Sequence, residues 1–512
     1  MAEPTSLVIG DGSITSERAE PGAAIERGLL IGGESVPAGS GGLADDVAPW
    51  DGQIYARVAA GTPEDVTRAV DAAQAAFPTW SELGAHERRE IFLRAADVMG
   101  ERSAEAITAL GRETGASRVF SELNVAVCIE VLREAAAAIT RPMGELLPTS
   151  IPGAYSIAQR VPMGVVGAIS PWNAPLVLGM RSIAIPLAVG NTVVMKPSED
   201  APITCGLLLA DVLVEAGLPP GVLNVVTNDL VDAGDVVTAL IADPRVRMVN
   251  FTGSTNVGRI IGVQAAQHLK PAVLELGGKN PLIILEDADP DLAVDAGVFG
   301  AFMNSGQICM STDRIIIHKS LVEAFIPRYV ERVESLTVGD PADPTTIVGP
   351  LINTRGAERV AKLVQDAVNM GAEPLTGDGA IQGPNGTLIR PVVLTDVTTD
   401  MDIYGSEIFG PATVIHPVDS TGAAIDLAND TEYGLTGGVI SRDLNAALDV
   451  VARIRSGILH INDQGIGDEP MAPFGGLKNS GYGKFGGTAG IESFTERRWI
   501  TIQHAGRPIY PF

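Results

Sequence analysis

From Val161 onward, short apolar runs alternate with longer helical ones, and this alternation constrains the fold more than any other feature of the chain. Val165 to Ser170, Thr192 to Lys196, Val222 to Val226 and Met248 to Thr252 have the length and β-branched content of buried strands. Between them, Leu176 to Val189, Ile203 to Ala216 and Val237 to Ile241 read as helices. Strands alternating with helices predict a parallel, doubly wound α/β sheet. Such a sheet binds its ligands at the carboxyl ends of its strands. A second α/β stretch begins near Leu274. It has strands at Pro281 to Leu285, Arg314 to His318, Arg390 to Leu394 and Thr413 to His416, and helices near Leu321 to Leu336 and Glu358 to Met370.

The N-terminal part reads differently. Its first forty-odd residues are rich in Gly, Ser and Glu and suggest an arm with short strands. A helix follows, with Thr62 as N-cap, Pro63 in its first turn, Val66, Val70, Ala73 and Phe77 on one face, and Pro78 at its expected end. Further helices are expected over about Ala85 to Arg102 and Ser121 to Ala138. Glu145 to Thr149 and Tyr155 to Arg160 suggest a hairpin, and Arg498 to Gln503 alternates like a strand. These strands lie outside the α/β stretches and are candidates for pairing with another subunit.

Composition narrows the function. The 512 residues carry a formal charge of −26, a surface that repels nucleic acid. No run is long enough to span a membrane, and Met1 to Pro4 lacks the start of a secretory signal. Cys128, Cys205 and Cys309 are too few and too scattered for a disulfide framework, which suits a reducing cytoplasm. Six scattered histidines offer no metal-binding spacing.

Three segments end a predicted strand or loop with reactive groups. Ser170-Pro171-Trp172-Asn173 follows a buried strand, where an Asn amide can stabilise an oxyanion. Glu275-Leu276-Gly277-Gly278 places an acid after an apolar run, where partial desolvation suits a general base. Asn304-Ser305-Gly306-Gln307-Ile308-Cys309 sets a thiol after a Gly-containing turn and before Ser311 and Thr312. Singly, each fits a bland reading as well: a turn Asn, a surface Glu, a buried Cys.

Together, the three resemble the aldehyde dehydrogenase superfamily. The likeness runs in family order over about residues 30 to 503. It includes Pro171-Trp172-Asn173, Lys196-Pro197-Ser198-Glu199, Phe251-Thr252-Gly253-Ser254-Thr255, the Glu275 segment, Gly306-Gln307-Ile308-Cys309, Glu407-Ile408-Phe409-Gly410-Pro411 and Pro473-Phe474-Gly475-Gly476. The resemblance implies Cys309 as nucleophile, the Asn173 amide and Cys309 N–H as oxyanion donors, and Glu275 as the base for thioester hydrolysis. It implies NAD as cofactor. Ser170, Trp172, Lys196, Glu199, Gly253, Ser254, Gly258, Glu407 and Phe409 would form its site, and Glu199 would favour NAD over NADP.

The segment Ser480–Gly487, with His460–Asp463 and Asp468-Glu469, resembles the aromatic branch of vanillin, benzaldehyde and salicylaldehyde dehydrogenases. Phe485 stands where many members carry Glu, and Ser182 where many carry Lys, so a proton relay of those members lacks two of its groups here. The same resemblance makes Leu178, Arg181, Phe302, Ile308, Met310, Gln464 and Phe474 candidates for the substrate pocket. Arg181 could donate to a ring oxygen, clamp the carboxylate of a semialdehyde, or form a structural ion pair. A semialdehyde or aliphatic aldehyde is the alternative substrate, and a non-catalytic relative of the same fold the alternative class. The implied architecture is an NAD-binding Rossmann-like domain (1–139 and 161–274), an α/β catalytic domain (275–487) and oligomerisation strands (140–160 and 488–512). The implied assembly is a homodimer or homotetramer.

Overall fold

The computed structural model describes residues 24–506 and Tyr510. Two large sheets organise it. The first has eight strands in the spatial order Gly481–Tyr482, Ala272–Glu275, Val246–Thr252, Val165–Ile169, Thr192–Lys196, Leu223–Val225, Leu29–Ile31, Glu34–Val36. Its five central strands are parallel, as the alternation predicts. Val165–Ile169 has a later strand on each side, so the winding direction reverses there. A doubly wound sheet opens a ligand crevice at that switch point.

The second sheet has seven strands: Glu373–Thr376, Val392–Thr395, Ala412–Val418, Thr312–His318, Asn280–Ile284, Thr436–Ile440 and Ile458–Ile461. All but the first run parallel to their neighbours. Branched residues such as Leu282, Ile284, Ile315 and Ile317 pack beneath the helix Pro290–Phe302 in one of its cores.

The third sheet holds the strands that lay outside the α/β stretches. Gly144–Leu147 and Ala154–Pro162 form the expected hairpin, and Thr495–Gln503 pairs antiparallel with Ala154–Pro162 along its whole length. The C-terminal strand therefore finds a partner within its own chain, and Gly144–Leu147 and Thr495–Gln503 remain as edges.

Two helix boundaries differ from expectation. The helix that starts at Pro63 continues through Pro78 to Glu82. Pro78 removes one backbone donor, but the last turn is anchored by Trp80, which is buried and donates its indole N–H to the Leu187 carbonyl at 3.1 Å. The segment expected as one helix from Ile203 begins as a π-turn, Ile203–Leu207, before the α-helix Leu208–Glu215. There the Glu113 carboxylate caps the Ile203 and Thr204 amides at 2.6 and 2.8 Å. The helix Ser103–Thr114, which carries Glu113, was not expected from the sequence.

Candidate active site

The seam between the two large sheets forms the site. Strands of the first sheet end there: Ile169 leads into Asn173, Thr252 into Gly253 and Ser254, and Glu275 closes its own strand. Strands of the second sheet begin there: Cys309 lies three residues before Thr312–His318, and Glu407 and Phe409 precede Ala412–Val418. One cavity of about 820 Å³ opens on this seam. Cys309, Asn173, Glu275, Trp172, Gly253, Ser254, Glu407 and Phe409 all line it, although the sequence scatters them over more than two hundred residues.

The loop before Cys309 is conformationally costly. Asn304, Ser305 and Gly306 are successive left-handed residues, with φ of 50°, 56° and 70°. Asn304 and Ser305 each give up about 1–2 kcal/mol of backbone preference, so the fold must hold them. The Asn304 amide donates to the Asn173 carbonyl at 2.8 Å and the Ser305 hydroxyl to Gly349 at 2.9 Å. Asn280, the first residue of its strand, donates to the Cys309 and Ser311 carbonyls at 2.8 and 2.9 Å. These bonds tie the thiol loop to both sheets.

Asn173 is buried and spends one N–H on the Gln307 carbonyl at 3.0 Å. An amide nitrogen carries two hydrogens, so a second donor remains. Among the described residues the Cys309 N–H has no acceptor. These two donors can receive a developing oxyanion.

Cys309 is the least buried of the three cysteines. Desolvation, and then the charges of Glu407 and Glu275, push its thiol up to about 12. The sulfur attacks as the thiolate, so the thiol proton must leave first. Glu275 is 2 % exposed, and neither carboxylate oxygen has a hydrogen-bond partner. Burial raises it well above the usual carboxylate range, opposed by the charges of Lys484 and Arg181. A carboxylate raised in this way binds a proton more strongly than a solvated one, which suits a general base. Burial likewise raises Glu407 to about 7, against the Gly278 N–H that it accepts at 3.0 Å. A Cβ on Gly277 would lie 2.4 Å from the Glu407 carboxylate, so glycine admits that side chain.

The remaining sequence candidates fall in other places. Trp172 and Phe409 meet edge to face, ring centres 5.5 Å apart. Ser254 caps the helix Thr255–Gln267, and Gly258 packs on Leu276 within its first turns. Lys196, at its strand end, pairs with Glu199, which also accepts from Asn228 at 3.1 Å. The Ser170 hydroxyl donates to Ser182 at 2.8 Å. Gly258, Lys196, Glu199 and Ser170 do not line the main cavity. Nor do the seven substrate-pocket candidates. Ile308, Met310 and Phe474 share an apolar cluster against which Cys309 and Trp172 pack. Arg181 is buried, pairs with Asp468 and lies 4.2 Å from the centre of the Phe474 ring, with Nη1 unpartnered. Leu178 is buried on the same helix as Arg181. Gln464 bonds back to Ile466 at 2.9 Å. Phe302 is fully buried in the core of the second sheet.

Residues 36–500 match the aldehyde dehydrogenase family. The chain belongs to the aldehyde dehydrogenase family. A vanillin dehydrogenase of a Pseudomonas species (strain HR199) is 48% identical over 94% of this chain and 98% of its own. The NAD(+)-named benzaldehyde dehydrogenase of Pseudomonas putida is 40% identical over 92% of this chain and 95% of its own. The crystal structure of the salicylaldehyde dehydrogenase of Pseudomonas putida G7, complexed with salicylaldehyde, superposes with a TM-score of 0.92 at 41% identity. That match covers 95% of this chain and all of the other. The aldehyde dehydrogenase is thus an oxidoreductase that uses a nicotinamide cofactor and a small-molecule aldehyde. Among the described residues no helix is long and apolar enough to cross a membrane.

Proposed function

We propose that this enzyme oxidises aromatic aldehydes of the vanillin, salicylaldehyde or benzaldehyde type to their acids, with NAD, through a thioester on Cys309. The observation that carries the reading is the convergence of Cys309, Asn173 and Glu275 on one cavity at the switch point of the first sheet. In this reading the Cys309 thiol loses its proton to water, its sulfur attacks the aldehyde carbon, and the new oxyanion accepts from the Asn173 amide and the Cys309 N–H. When bound, NAD supplies the acceptor for the hydride. The acyl group is then held on Cys309, and Glu275 takes a proton from the water that cleaves the thioester.

The residues present fit that cofactor. Gly253, Ser254, Thr255 and Asn256 line the cavity at the amino end of the helix Thr255–Gln267, where a pyrophosphate is favoured. Glu407 would take the nicotinamide ribose, with Phe409 beside the ring. Lys196 and Glu199 would hold the adenosine ribose, and the Glu199 carboxylate would repel a 2′-phosphate. Arg181 Nη1, buried and unpartnered, supports a donor role toward a ring oxygen. Exposed Leu146, Tyr155 and Trp499 on the third sheet support a homodimer or homotetramer built from 140–160 and 488–512. Three unpaired cysteines support a reducing, cytoplasmic setting.

The test is NADH formation with vanillin, benzaldehyde, salicylaldehyde, succinic semialdehyde and a medium-chain alkanal, repeated with NADP. The ring aldehydes should give the highest kcat/KM, with NAD preferred. Activity confined to the semialdehyde would leave the chemistry and overturn the substrate class.

A further inference from the structure

Glu275 is buried, so its ionisation needs a counter-charge, and Ser182 and Phe485 carry none. The Ser182 hydroxyl donates to the Gly179 carbonyl at 2.8 Å, and Phe485 packs on Phe494 with ring centres 5.7 Å apart. The neighbouring residue does carry charge. The short strand Gly481–Tyr482 pairs antiparallel with Ala272–Glu275, setting Gly481 opposite Glu275, and Lys484 follows two residues after this strand. Lys484 is only half-buried, but its ammonium turns inward. It donates to the Gly475 carbonyl, and to that of Gly476 at 3.2 Å. Gly475 in turn is wedged between the two side chains. A Cβ there would lie 2.3 Å from Glu275 Oε1 and 2.8 Å from Lys484 Cδ. At Gly475, therefore, no side chain can stand between Glu275 and the Lys484 stem.

We propose that Lys484 is a positioning residue for Glu275: its ammonium fixes the Gly475–Gly476 loop against the carboxylate and sets a positive charge beside it. This rests on the reading of Glu275 as the deacylation base. The other charged or titratable groups facing Glu275 do not replace Lys484. Arg181 is matched by Asp468, and Glu407 and the Cys309 thiol supply no positive charge. Of the opposing charges, that of Lys484 acts most strongly on Glu275, and Glu275 in turn supports the ammonium against its own burial. An opposite charge favours the ionised carboxylate, by about 1–3 units for a close pair. Without it, Glu275 would hold its proton to higher pH, and less of its base form would be present at a given pH.

The experiment is the pH profile of acid release in a single turnover of benzaldehyde with NAD, for the parent enzyme, Lys484→Gln, Lys484→Arg and Glu275→Gln. The proposal expects the acidic limb of Lys484→Gln to move up by about one pH unit, with about tenfold slower release on that limb. Lys484→Arg should restore the parent limb. If Lys484→Gln does not fold, Lys484→Met, which keeps the apolar stem, takes its place. A limb unmoved in the folded neutral variant overturns the proposal, even if the maximal rate falls, because a purely structural role would lower the plateau alone. Glu275→Gln separates the two claims: undiminished release there sinks the base assignment itself, whereas a dead Glu275→Gln with an unmoved Lys484→Gln limb sinks only the role of Lys484.

Discussion

Gly306→Ala perturbs the thiol loop at a site far smaller than its expected effect. Gly306 has φ of +70°, and a Cβ there would stand 2.0 Å from the Gly410 oxygen, 2.6 Å from the Gly410 carbon and 3.0 Å from the Ala301 oxygen. Carbon and oxygen approach no closer than about 3.3 Å, so the Cys309 loop or the Glu407–Gly410 segment must retreat by about 1 Å. The backbone cost of a left-handed alanine adds about 1–2 kcal/mol. Both segments line the cavity, one bearing the nucleophile and the other Glu407. A displacement of that size is expected to lower kcat/KM about 100-fold, while the melting temperature falls by only a few degrees. Gly371→Ala is the control: it shares the positive φ, at +111°, but a Cβ there meets nothing within 4 Å. It should lose stability and keep activity. The assay is NADH formation with benzaldehyde alongside thermal denaturation of each variant. If Gly306→Ala stayed within twofold of the parent, the rigid loop would not be what positions the thiol.

Other outcomes follow from the same geometry. Asn173→Ala removes one oxyanion donor and should cut kcat by about 10²–10³-fold with KM little changed; a loss below fivefold would leave the oxyanion elsewhere. Because burial, Glu407 and Glu275 raise the Cys309 thiol, alkylation of the cofactor-free enzyme by iodoacetamide should still be rising with pH above about 8.5, the ordinary cysteine value. A plateau below that pH would contradict the raised thiol. Glu199→Gln removes the charge that would repel a 2′-phosphate, and should raise the NADP-to-NAD ratio of kcat/KM by about tenfold or more, a change of about 1.4 kcal/mol. An unchanged ratio would place cofactor choice on other residues.

The parallel strands were legible because full burial gives them unbroken apolar runs, as in Thr192–Lys196. The strand Thr436–Ile440 was not, since Gly437 and Gly438 erase the β signal. Those glycines are there for close packing: a Cβ on Gly438 would lie 2.4 Å from the Asp463 carbonyl oxygen. Pro78 misled because its penalty is local, while the burial of Trp80 that outweighs it is tertiary. At the site, Cys309, Asn173 and Glu275 could be read from their loops and the family resemblance. Asn280, which holds the Cys309 carbonyl, and Lys484, which reaches Glu275 across a glycine, carried no signal. The Cys309 carbonyl lies 29 residues from Asn280 and is brought near by the pairing of Asn280–Ile284 with Thr312–His318, while Lys484 meets Glu275 only through the Gly475 loop.

The central claim is that Cys309 carries the acyl group. Glu275→Gln enzyme, mixed with NAD and benzaldehyde, quenched in acid, digested and weighed by mass spectrometry, tests it directly. The account predicts a benzoyl mass on the peptide containing Cys309 and none on those containing Cys128 or Cys205, with about one NADH formed per acylated site. NADH formed in amounts matching the enzyme, with the Cys309 peptide unmodified, would contradict it.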